Sequence, residues 1–298
     1  MTFLAILAAL ALERALHAAE LQHLRAARWF AAYRESLQGL LHRVPGGDGV
    51  VGVAVICLLP AVAVWLLVWL LAQVSVVLAF LASVLVLLYC LGPTELLTQL
   101  RDYVSAHQDQ ADGQETDRTA SAEITRDLLE AEPAPTEGDD SHRAVTETAL
   151  VRANDRLFAV LFWFAVLGPA GAGLYRCARL NHLAARRESS DSAFANAASM
   201  LEGLLAWLPA RILAITYALT GSFEESLADW KAYYEECSEP FYETSEGVLS
   251  CAGCGALRIS AGGSDAGLAV VRGARSLLKR SLLLWLVLLA VLTLVGLT

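Results

Sequence analysis

Long apolar runs without a single charge punctuate this chain, and their lengths decide what they can be. Residues 50–71 and 74–91 form two such runs separated by Ala72 and Gln73, and residues 281–298 form a third. A helix needs about 20 apolar residues to cross the hydrocarbon core of a bilayer. Each run is therefore expected to span, the first two as a tight hairpin that returns both outer ends to one side. Pro60 is expected to kink the first. A fourth charge-free run, 157–175, contains Gly168, Pro169, Gly171 and Gly173. Proline removes a backbone donor and glycine weakens a helix, so this run is expected either to cross as a kinked helix or to turn back as a re-entrant hairpin. Irregular backbone at membrane depth survives only where protein or water satisfies it. The break is accordingly a place to look for a site.

The remaining segments alternate on a helical period. Leu4, Leu7, Ala8, Ala11, Leu12, Ala15, Leu16 and Ala19 recur at helical spacing, which predicts amphipathic helices over 2–41, with Glu13 and Arg14 as the polar edge of an interfacial helix. The start lacks the basic n-region of a secretory signal peptide. Residues 45–49 (Pro-Gly-Gly-Asp-Gly) make a turn. Segment 92–156 carries fifteen Asp and Glu against six Arg. It is expected outside the membrane, with one helix marked by Leu96, Leu97, Leu100, Tyr103 and Val104, a weaker one at 122–130, and a flexible linker at 132–141. Phe223, Leu227, Trp230 and Tyr234 mark another amphipathic helix, and 245–267 reads as a Gly- and Ser-rich loop. The organisation predicted is thus amphipathic helices (1–49), a transmembrane hairpin (50–91), an acidic extramembrane segment (92–156), a membrane or re-entrant core (157–221), an amphipathic helix with a Gly/Ser/Cys loop (222–280) and a last transmembrane helix (281–298). The fold class is all-α: a polytopic membrane helical bundle with amphipathic cytoplasmic helices.

Composition narrows the function classes. With 56% apolar residues in 298 and a mean hydropathy of +0.49, the chain reads as an integral membrane protein. A net charge of −9 excludes a nucleic-acid partner, which calls for a basic patch; the lipid bilayer is the partner implied. Lys and Arg gather at 176–187 and 272–280, and the positive-inside rule puts these clusters, the N-terminus and the acidic segment in the cytoplasm. Metal is not expected: Cys251 and Cys254 form a lone CxxC with no second pair or clustered His, and the acidic segment lacks the spacing of a calcium loop. Cys57, Cys90 and Cys177 lie in or beside apolar runs, as small apolar residues.

The polar groups that remain are the candidate chemistry. Glu147 and Asp155 stand before the broken run, and Arg176, Arg179 and His182 after it, while Glu202 and Arg211 follow in the next apolar stretch. These seven are the ligand-binding candidates. A re-entrant hairpin would return Asp155 and Arg176 to one face. Arg211 is the one charge within 204–219, and a charge at bilayer depth is costly unless partnered. Glu202 is nine residues from it, about 13 Å along a straight helix, so Asp155 from another helix is the expected partner.

Several short motifs carry a resemblance. LAALALER at 7–14, LGP at 91–93, LFWF at 161–164, GAGLYR at 171–176 and WLPAR at 207–211 resemble the AmpE family. That resemblance implies a multi-pass protein of the bacterial inner (cytoplasmic) membrane, a non-enzymatic signalling modulator of β-lactamase induction. It would bind a cell-wall-derived small molecule or a membrane partner protein in a polar pocket and need no cofactor. AmpE is in turn similar to the CobD and CbiB membrane proteins, which join a cobyric acid carboxylate to an aminopropanol phosphate in cobalamin synthesis. Glu147 and Asp155 match acidic positions of that family, Tyr175 and Arg176 its YR, and Glu202 one of two successive acids before WIPAR. Gly203 replaces the second acid, Arg152 replaces an Asn, and Arg179 and His182 stand where that family has Asn and Asp. This second resemblance implies the alternative: an amide-forming ligase or transferase using Mg²⁺ and a nucleotide, with Asp155, Glu202, Arg176 and Arg211 around an anionic substrate.

Overall fold

The computed structural model describes residues 2–15, 28–41, 49–91, 93–111, 139–188, 192–259 and 267–295, and among them every regular element is helical. In chain order these are α1 (Thr2–Ala15), α2 (Arg28–Leu41), α3 (Val50–Val74), α4 (Val76–Cys90), α5 (Pro93–Ala111), α6 (Asp139–Ala153), a π-helical turn (Asn154–Phe158), α7 (Ala159–Leu167), α8 (Pro169–Arg187), α9 (Ala193–Thr220), α10 (Phe223–Glu236), α11 (Ser245–Ala256) and α12 (Leu268–Leu294). The weak helix expected at 122–130, most of the linker at 132–141 and most of the turn at 45–49 lie outside the described residues.

Helices α3, α9 and α12 are long and apolar enough to cross a membrane. The protein is an all-α membrane helical bundle. Two boundaries differ from expectation. The α3–α4 break falls at Ser75 rather than at Ala72–Gln73, because Ser75 is extended and its Oγ accepts a hydrogen bond from the Val77 amide at 3.2 Å, an N-cap that neither Ala nor Gln can make. Helix α12 starts at Leu268 and takes in Arg272, Arg275, Lys279 and Arg280, since Arg and Lys are good helix formers and nothing before Ser281 stops the helix. Helix α9 is itself a candidate span, with Pro209 inside it. Helix α4, at 15 residues, is shorter than a full crossing requires.

The chain forms two compact units. The first comprises residues 1–92, 155–209 and 288–298. In it α8 packs on α3, α4 and α7, and α1 lies on α4. Phe30, Val53, Ile56 and Cys57 meet Ala178, Ala185, Phe194 and Ala198, and the small residues let the helix backbones approach closely, as membrane helices require. The outer faces of α3 and α4 expose Leu59, Trp65, Leu66, Trp69, Leu81 and Leu85, the apolar surface that lipid covers. Glu13 is 1% exposed and so is not the polar edge of a surface helix.

The second unit comprises residues 93–154 and 210–287. Here α10 packs on α11, and α11 on α6. The segment 245–256, read from its glycines as a loop, is helical, and the reason is tertiary. A Cβ at Gly253 would press on Leu150, and one at Gly255 on the backbone of Glu225 and Ser226, so the glycines admit neighbours that a side chain would exclude. Ser226 Oγ donates to the Ala252 carbonyl at 2.8 Å, and Tyr217 OH to the Leu150 carbonyl at 2.9 Å. Trp285 Nε1 donates to Thr216 Oγ1 at 3.1 Å, tying α12 to α9.

Candidate functional site

The broken run resolves into two helices joined at Gly168, whose φ of 68° and ψ of −157° belong to a region only glycine enters without strain. Pro169 follows at the first turn of α8, where its missing N–H costs nothing. The chain then folds back on itself. Gly171 lies so close to the Trp163 carbonyl and the Leu167 Cβ that a side chain at 171 would overlap both. A helical hairpin about Gly168 brings together residues at similar distances on either side of it. Asp155, in the π-helical turn, thereby meets Tyr175 and Arg179 of α8.

Arg179 is the centre of the arrangement. Its Nη2 lies 2.7 Å from Asp155 Oδ2 and its Nη1 3.3 Å from Glu202 Oε1 on α9. Tyr175, one helical turn before Arg179, donates from its hydroxyl to Asp155 Oδ1 at 3.1 Å. Asp155, Arg179 and Glu202 are each between 7% and 8% exposed, and Tyr175 is fully buried. Two carboxylates thus close on one guanidinium, and the cluster ties the π turn, α8 and α9 together. π-Helical turns recur at functional positions because they re-aim a side chain out of the regular helical register.

This corrects the pairing expected for Arg211 and Arg176. Asp155 and Glu202 are engaged by Arg179, while Arg211 donates to Ser245 Oγ at 3.1 Å, to Tyr234 OH at 2.8 Å and to Thr244 Oγ1. Arg176 is one residue, about 100° of rotation, from Tyr175 and faces an apolar recess instead. His182, on α8 three residues after Arg179, is half-buried. Burial, with the Arg179 and Arg186 charges, lowers its pKa to about 4, so it is neutral at physiological pH.

Glu147 belongs to the second unit, where it borders an open cleft of about 640 Å³ with Asp229, Tyr233, Cys251 and Cys254. Arg143 Nε lies 2.8 Å from Glu147 Oε1, and Cys254 Sγ 3.8 Å from the same oxygen. Burial and the Glu147 carboxylate push the Cys254 thiol up to about 12. Burial also raises Cys251 and Asp229, the latter helped by Glu225. The CxxC pair is therefore a pair of protonated thiols. Among the described residues no three His, Cys, Asp or Glu side chains group as a metal site, and Asp155 of the π turn and Glu202 of α9 are held by Arg179, so this donor set does not fit Mg²⁺.

Sequence reasoning singled out Asp155, Arg179 and Glu202 but not their mutual pairing, and it gave Tyr175 no role. The signal was present: Tyr175 and Arg179 are spaced i, i+4, and Asp155 stands 13 residues before Gly168 while Arg179 stands 11 after it.

Fold and site together define a polytopic helical membrane protein built around a buried carboxylate–guanidinium cluster. The sequence profile of the family described as CobD/Cbib protein matches residues 6–278, and the chain belongs to that family. It is 37% identical over 123 residues to the cobalamin biosynthesis protein CobD of Stutzerimonas stutzeri strain A1501, covering 41% of this chain and 39% of that protein. It is 36% identical over 140 residues to the cobalamin biosynthesis protein CobD of Chromobacterium violaceum, covering 47% of this chain and 41% of that protein. The matched region is well under two thirds of either relative. No solved structure matches the chain. These matches overturn the AmpE reading and its role in β-lactamase induction. The motifs that suggested it, LFWF and GAGLYR among them, are short and mostly apolar, and packed membrane helices are rich in such residues.

Proposed function

We propose that this protein acts in cobalamin biosynthesis as a membrane-embedded synthase, forming an amide between a corrinoid carboxylate and the amine of an amino-alcohol phosphate. The observation that carries the reading is the family match over 6–278, which encloses Asp155, Tyr175, Arg179 and Glu202. The names of the two relatives supply the pathway. In this reading the Arg179 cluster is a positioning core: it fixes the π turn, α8 and α9, while Glu147 and Asp229 give the open cleft of the second unit the negative charge that suits an ammonium group. Amide formation expels the carboxylate oxygen, which the ATP supplied would carry off as phosphate; no residue is assigned to hold Mg²⁺ or the nucleotide, because Asp155 and Glu202 are engaged by Arg179. The bacterial inner membrane is the location that goes with the pathway.

The test is reconstitution. Purified protein in vesicles is given cobyric acid, aminopropanol phosphate and MgATP, and the amide product is followed by mass spectrometry. Product is expected, with Glu147→Gln and Asp229→Asn raising the KM for the amino-alcohol phosphate. If the Stutzerimonas stutzeri relative forms product in the same vesicles and this protein does not, the synthase reading is wrong.

A further inference from the structure

Helix α8 serves two environments. Tyr175 and Arg179 turn to the buried acids, whereas Gly173, Arg176, Cys177 and Leu180 line a recess of about 310 Å³ between α8, α3 and α4. The opposite walls are apolar, formed by Pro60 and Val64 of α3 and Leu85 and Val86 of α4. Arg176 is the cation in this lining. Among the described residues its Nε is buried without a hydrogen-bond partner and no ion pair includes it. A guanidinium left so beside apolar surface is unfavourable in a membrane protein unless an anion reaches it.

The recess also has a direction. At one end Trp29 Nε1 donates to Tyr89 OH at 2.6 Å, and both residues line it together with Arg176. Trp and Tyr gather at the headgroup level of a bilayer. From that end Pro60 leads to Val64, and Tyr89 to Val86 and Leu85, both paths running toward the hairpin turn at Ser75 and so into the hydrocarbon. Leu85 is 61% and Trp29 46% exposed, which leaves the recess open on the face that lipid covers. A cation at headgroup level, continued by an apolar channel, complements an anion carrying a hydrocarbon chain. A free anion would gain the arginine alone and lose its hydration against apolar walls.

We propose that this recess is a binding site for an anionic phospholipid, its phosphate paired with the Arg176 guanidinium and an acyl chain laid along Val64 and Val86. Guanidinium and phosphate match as a bidentate, charge-assisted pair, and the Trp29–Tyr89 pair borders the headgroup. The site is separate from the Arg179 cluster and does not rest on the proposed synthase activity.

Trp29 makes the site observable. Full-length protein is reconstituted into phosphatidylcholine vesicles containing increasing fractions of brominated-chain phosphatidylglycerol or of phosphatidylcholine with the same brominated chains. The difference between wild type and Trp29→Phe isolates the quenching of Trp29. Half-quenching is expected at about tenfold less phosphatidylglycerol than phosphatidylcholine, equivalent to about 1.4 kcal/mol. Arg176→Gln should abolish that preference and Arg176→Lys keep part of it. Equal quenching by the two lipids in the wild type, a comparison that needs no Arg176 variant, overturns the proposal. So does a preference that survives Arg176→Gln. Release of the brominated phosphatidylglycerol by soluble glycerol phosphate would assign Arg176 to a free anion and also overturn it.

Discussion

Arg179→Met is the perturbation that most directly interrogates the buried cluster. At an effective dielectric of about 20, the contacts of 2.7 Å to Asp155 and 3.3 Å to Glu202 correspond to attractions of about 6 and about 5 kcal/mol. Burial of each ion costs several kcal/mol in lost hydration, so in the intact cluster attraction and desolvation largely offset. Methionine keeps much of the side chain's bulk but removes the guanidinium, leaving the burial cost of the two carboxylates without the attraction that offsets it. Breaking a buried ion pair from one side typically costs about 3–5 kcal/mol, and Arg179→Met is expected to destabilise the protein by that much. Combining it with Asp155→Asn and Glu202→Gln removes the stranded charges and should recover most of the loss. The assay is reversible unfolding in mixed micelles, followed by far-UV circular dichroism, for the single, double and triple variants. A single-variant cost under about 1 kcal/mol, the value of an exposed pair, would refute the argument. So would a triple variant whose loss equals the sum of the three single losses.

Three further predictions concern the hairpin, a histidine and a thiol. Gly168→Ala should cost about 1–3 kcal/mol for its φ of 68°, and Gly171→Ala should also destabilise because its Cβ overlaps the Trp163 carbonyl; unfolding in the same micelles checks both. His182 has a folded pKa of about 4 against an ordinary 6.5, so the unfolded chain holds the extra proton between those values. Its contribution is complete above pH 6.5 and is lost as pH falls toward 4, with a limiting slope of about 1.4 kcal/mol per pH unit; His182→Gln should flatten that limb of the stability curve. Cys254, raised from 9.0 to about 12, should carry roughly a thousandfold less thiolate than a free cysteine at pH 8. Iodoacetamide should therefore leave it unmodified in the native protein and alkylate it in denaturant, as peptide mass spectrometry would show.

Much of the fold was legible because the bilayer restricts the answer. Apolar runs free of charge admit helix and little else, and the helices at 50–71, 74–91, 157–175 and 281–295 follow from that constraint. What the pattern left open were ends and contacts that depend on neighbours. Helix α12 runs on through four basic residues because charge patterning marks a membrane boundary but does not stop a helix. Glycine-rich α11 read as loop because propensity counts the missing side chain as a loss, whereas at Gly253 and Gly255 the missing side chain is what lets Leu150 and the α10 backbone come close. Glu13 looked like surface because its burial depends on packing that no single-helix period records.

The site was legible in its residues and illegible in its partnerships, and the reason is geometric. Arg211 drew the pairing argument because it alone is charged in its apolar stretch, but energetic need does not select a partner; proximity does, and proximity was encoded at Gly168. Once the chain turns there, Asp155 is presented to α8, and of that helix's cations only one on the Tyr175 face can reach it. Arg179 satisfies that condition at i+4 from Tyr175, and Arg176, one residue away on the helical wheel, cannot. The same rotation explains why a single helix carries two arginines with different consequences. Arg179 supplies from within the chain a positive charge to Asp155 and Glu202. Arg176 is turned away from both acids, and no ion pair among the described residues includes it. One arginine closes a site with protein charge, and the other leaves a charge for something in the membrane to answer.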